Sequence, residues 1–111
     1  MQVYDTVNRL AEEIKQSEEY VGFKTAKQAI EIMPEYKNKI TEFNKIRYEE
    51  QLNSMQTGKV DSEKMNKIQK MYQEIIEIPE IKMYFDAELK FNVLIGDVNK
   101  IIAESVKDLI Q

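Results

Sequence analysis

The chain has 111 residues, 42% hydrophobic and 32% charged, with three glycines and two prolines, which suits one helix-rich domain with a modest core. Twenty acidic against sixteen basic residues give a net charge of −4, which argues against a general nucleic-acid binder, since phosphate affinity comes from clustered cations. The absence of cysteine and histidine excludes disulfides, thiolate nucleophiles and sulfur-held zinc or iron–sulfur centres, and removes the commonest general base.

Met1 to Leu10 alternates charged and apolar residues, unlike a signal peptide. No apolar run approaches the roughly 20 residues of a membrane span, so a cytoplasmic protein is expected. The first helix is predicted over about Tyr4 to Gln16, with Val3, Val7, Leu10 and Ile14 on one stripe. Ser17 is placed to cap a second helix from Glu18 to about Met33, whose Glu18 and Glu19 suit the positive end of its dipole. Phe23, Ala26, Ala29, Ile30 and Met33 are its inward residues, and the alanines allow a neighbour to approach closely.

Pro34 fits the first position of a third helix reaching about Met55, with Tyr36, Ile40, Phe43, Ile46 and Leu52 inward. Gln56 to Val60 reads as a loop, with Gly58 ending one helix and Asp61 capping the next. The fourth helix is predicted from Ser62 to about Glu77, with Met65, Ile68, Tyr72, Ile75 and Ile76 as its stripe. A break or sharp kink is expected between Glu77 and Pro79. From Pro79 to Gln111 apolar residues recur at helical spacing without another proline, giving a final helix of roughly 45 Å. The expected fold is all-α: an antiparallel bundle of four to five helices with a long C-terminal helix, in one domain over residues 1–111.

Candidate sites are few. The acid pairs Asp86 with Glu88 and Glu74 with Glu77 could be imagined as metal or acid–base pairs. Lysines three or four residues from nearly every acid make a solvated helix face the simpler reading. Lys59, Lys64, Lys67 and Lys70 form the most basic run and could touch RNA, but Asp61 and Glu63 dilute them and Tyr72 is the only adjacent aromatic to stack on a base. Met33, Met55, Met65, Met71 and Met83, with Tyr20, Tyr48, Tyr72 and Tyr84, are residue types common at partner contacts and equally ordinary in a core. Asn92, Gly96 and Asn99 share a strip of the last helix, where a buried Asn can fix register and a glycine permits close approach. Phosphate loops and nucleophile elbows are lacking, so an enzyme is not expected and no cofactor is implied.

The run I-P-E-I-K-M-Y-F-D-A-E-L-K-F-N-V-L-I-G-D-V-N-K-I-I resembles the signature half of the YlbF/YmcA family of small helical bacterial proteins. The matching positions are Pro79, Tyr84 and Phe85, Ala87-Glu88, Phe91-Asn92, and Asp97-Val98 with Ile102. L-A-E-E-I-K-Q-S-E-E-Y at Leu10 to Tyr20 and M-P-E-Y at Met33 to Tyr36 are similar to its opening half. The resemblance implies an all-α, self-associating, non-catalytic regulatory factor. It also implies partners: a homo-oligomer or paralogue hetero-oligomer, and the endoribonuclease RNase Y, whose mRNA processing such complexes modulate in competence, sporulation and biofilm formation. The iron–sulfur clusters associated with some relatives do not carry over to a chain without cysteine. The expected self-association or partner face is Tyr84, Phe85, Phe91, Asn92, Ile95, Val98, Asn99 and Ile102, with a nucleic-acid edge over Lys59 to Lys70 as the alternative.

Overall fold

The computed structural model describes residues 1–110 and is all-α. Five helices follow in order: α1 (Gln2–Gln16), α2 (Glu18–Glu31), α3 (Pro34–Thr57), α4 (Ser62–Ile75) and α5 (Pro79–Ile110). The junctions are made by local chemistry. Ser17 is extended, its Oγ accepts the Tyr20 N–H at 3.1 Å and donates to the Ile14 carbonyl at 2.6 Å, so one hydroxyl serves the end of α1 and the start of α2.

α2 stops at Glu31, two residues short of the expected Met33. A residue before proline is pushed out of the helical region, and Met33 accordingly sits at φ −121°, ψ 88°. Pro34 then opens α3, and Met33, lacking a side-chain acceptor, makes no side-chain cap. At the far end Gly58 takes φ +73° and returns its N–H to the Ser54 carbonyl at 2.9 Å, the left-handed termination that favours glycine. Asp61 Oδ1 accepts from the N–H groups of Glu63 and Lys64 and starts α4. α4 ends at Ile75 rather than Glu77, because Glu77 and Ile78 close short bonds back to Glu74 and Ile75 ahead of the proline. Pro79 is therefore a true break.

The chain divides into two compact units, one of Met1–Lys27 with the chain from Tyr84 on, the other of Gln28–Met83. In the second unit Ile30, Ile40, Phe43, Ile68 and Ile81 are buried, with Phe43 and Tyr72 ring centroids 5.8 Å apart and the Arg47 guanidinium 5.3 Å over the Phe43 ring. In the first unit Ala26, Tyr84 and Phe85 are buried. Phe23 packs between Tyr84 at 5.5 Å and Phe91 at 5.7 Å, while Tyr20 meets Phe91 at 6.2 Å. Rising numbers on α2 meet falling numbers on α5, so the two helices run antiparallel there.

Candidate functional site

The stripe on α5 is continuous in sequence but not in cover. Tyr84 and Phe85 are buried, and Phe91, Ile95 and Val98 are half-buried. Every residue from Ile101 to Ile110 is exposed, with Ile102 at 52% and Leu109 at 83%. α1 shows the same gradient from its other end. Its stripe is half-buried at Ile14 and Leu10 but 52% exposed at Val7 and 61% at Val3. Two helix ends of one unit thus hold apolar stripes against water.

The eight residues expected at an interface separate accordingly. Tyr84, Phe85 and Phe91 are engaged by rings of α2 or by each other, so they build the unit's own core and offer little free surface. Ile95 and Val98 are half-available, and Asn92, Asn99 and Ile102 are exposed. A Cβ at Gly96 would meet nothing within 4 Å, so the Asn92–Gly96–Asn99 strip faces open space. Of the other aromatic and methionine candidates, Tyr48, Met55 and Met83 are exposed, whereas Tyr20 and Tyr72 are held in ring pairs.

Beside the lysine edge, the Tyr72 ring is half-buried and pairs with Phe43. Lys64 Nζ also stands 4.0 Å from Glu50 Oε2. The depression beside Lys67 and Lys70 is lined only by residues of α4, and is the flank of one helix rather than a cleft. Among the described residues, no group of three acidic side chains is gathered to hold a metal ion, and no helix is long and apolar enough to cross a membrane.

Sequence reasoning missed Glu50, a buried acid on α3 at 4% exposure. Its Oε1 accepts the Asp61 N–H at 3.3 Å, tying the loop after α3 to the stripe that carries Phe43. Among the described residues no donor hydrogen-bonds Oε2. The available signal was position: Glu50 stands seven residues after Phe43, two helical turns along the same face.

The model of the family described as control of competence regulator ComK, YlbF/YmcA, matches residues 3–107. The chain belongs to the YlbF/YmcA family. Its relatives include a UPF0342 protein of Caldicellulosiruptor bescii, 35% identical over 95% of this chain and 88% of the relative. A UPF0342 protein of Clostridium novyi is 33% identical over 97% of this chain and 95% of its own length. A third, from Symbiobacterium thermophilum, is 32% identical over 94% and 93% respectively. The family match to this YlbF/YmcA member thus spans parts of all five helices.

Proposed function

We propose that this YlbF/YmcA member is a non-catalytic regulatory adaptor: it self-associates and engages a protein partner through apolar helix faces. The observation that carries the reading is the pair of uncovered stripes, Val3 and Val7 on α1 and Ile102, Val106 and Leu109 on α5. Apolar residues left exposed at helical spacing along one face suit an interaction site better than single scattered ones do. Membership of a family described by control of a competence regulator supports regulation as the output.

The partner that the resemblance implies is RNase Y, with modulated mRNA processing as the consequence and a paralogue of this chain in the same complex. The test is affinity capture of the tagged chain from its own cells at native level, probed for RNase Y and for YlbF/YmcA paralogues. Recovery of one of them in amounts comparable to the bait is expected. Recovery of neither, from cells that make both, contradicts the reading.

A further inference from the structure

The second half of α3 is patterned inside out. Beyond Ile46 its inward side carries Glu50, which is buried, with Asn53 and Ser54 half-buried, and none of the three is apolar. The apolar residues left in the helix, Tyr48, Leu52 and Met55, stand on the opposite side and are exposed. Their i, i+4, i+7 spacing holds them within about 60° of one another, so they form one stripe. Packing against α4 does not account for a stripe that faces away from Phe43 and Glu50.

The charge on that side of α3 is of one sign. At 3.6 residues per turn, Lys37 and Lys45 are its charged residues within about 90° of the centre of the stripe. Glu49 lies at about that margin, and Glu35, Glu42 and Glu50 lie further round. Thr41, Asn44, Gln51 and Gln56 add polar groups without charge. Lys37 shares its ammonium with Glu31 at 2.8 Å, whereas among the described residues no carboxylate pairs with Lys45. In a chain of 20 acids and 16 bases, a face with lysines and no acid is complementary to an acidic partner.

We propose that the outer face of α3 docks a helix of a different protein, apolar at one end and acidic at the other. Its apolar end covers Tyr48, Leu52 and Met55, and its carboxylates reach Lys45 and Lys37. The face runs roughly 27 Å from Lys37 to Met55, the length of about five helical turns. A second copy of this chain matches poorly. Along the exposed ends of α1 and α5 the charges alternate in sign, as in Asp5, Arg9 and Glu12 or Lys100, Glu104 and Lys107. RNA also matches poorly, because Tyr48 is the only ring on the face and Leu52 and Met55 offer a base no stacking.

This inference rests on the adaptor reading above and gives its partner a chemistry. The test is the full-length chain with the photocrosslinker p-benzoylphenylalanine in place of Leu52, irradiated in its own cells at native level. Adducts are sequenced by mass spectrometry, and a control carries the crosslinker in place of Asn66 on the flank of α4. The expected adduct of the first chain is a segment of another protein with apolar residues at helical spacing and a run of acids. Lys45→Glu should cut its yield at least several-fold and Lys67→Glu, the same reversal on α4, should leave it, with helicity of both checked by circular dichroism. An adduct with a second copy, with RNA or with a segment lacking acids would overturn the proposal. So would a yield no higher than at Asn66, or a yield that Lys45→Glu lowers no more than Lys67→Glu does. If the surface fails in this way while affinity capture still recovers RNase Y or a paralogue, the adaptor reading stands. The acidic adduct with neither of them recovered leaves the surface and removes RNase Y and the paralogue as partners.

Discussion

Removing the Ser17 hydroxyl takes an acceptor from the Tyr20 N–H and a donor from the Ile14 carbonyl at one junction. Ser17→Ala should therefore destabilise the fold by about 1 kcal/mol, the usual value of an N-cap, and lower the thermal midpoint by several degrees. A circular-dichroism melt checks this, with an unchanged midpoint as the contrary result. Glu50 offers a second contrast. Glu50→Ala leaves the Asp61 N–H without its acceptor and opens a gap on α3, and should cost about 1–3 kcal/mol in urea unfolding. Glu50→Gln keeps a carbonyl oxygen in reach and should cost clearly less. Equal losses would show that charge, through Lys64 at 4.0 Å, matters more than the accepted hydrogen bond.

Along α5 the same period carries two different environments. Phe85→Ala removes a buried ring and should destabilise by about 3–5 kcal/mol, enough to unfold much of a marginal domain. Ile101→Ser, on the exposed end of the helix, should leave the intrinsic stability of a single copy within about 0.5 kcal/mol. Urea titrations of the two variants at high dilution distinguish them, and similar losses would mean that the end of α5 is covered after all.

The helix junctions were legible in the sequence because each depends on one or two neighbouring residues: Ser17, Pro34, Gly58, Asp61 and Pro79 all act where their chemistry places them. The helix ends near Met33 and Glu77 were overextended by two residues, since the pull of a following proline acts back on the turn before it. Which part of the α5 stripe is covered was not legible. The stripe looks alike from Tyr84 to Leu109, and its cover depends on a 14-residue α2 lying against a 32-residue α5. Periodicity reports the face, and only tertiary packing reports how far a neighbour extends along it. Tyr84 and Phe85, expected at an interface, are buried within their own unit, while the exposed part of the stripe lies further towards the C-terminus.

At the scale of the whole molecule, a chain that leaves Val3, Val7, Ile102 and Leu109 in water should gain stability from whatever covers them. Its thermal midpoint should therefore rise with protein concentration, and a midpoint constant over a hundredfold range would mean that no assembly accompanies folding. The central claim is that the free ends of α1 and α5 are assembly surfaces. Multi-angle light scattering of the untagged full-length chain beside Ile102→Glu tests it most directly. The account predicts about 26 kDa for the natural sequence, twice the 13.1 kDa chain, and the monomer mass for the folded variant. A natural sequence that remains at 13.1 kDa up to high micromolar concentration would contradict it.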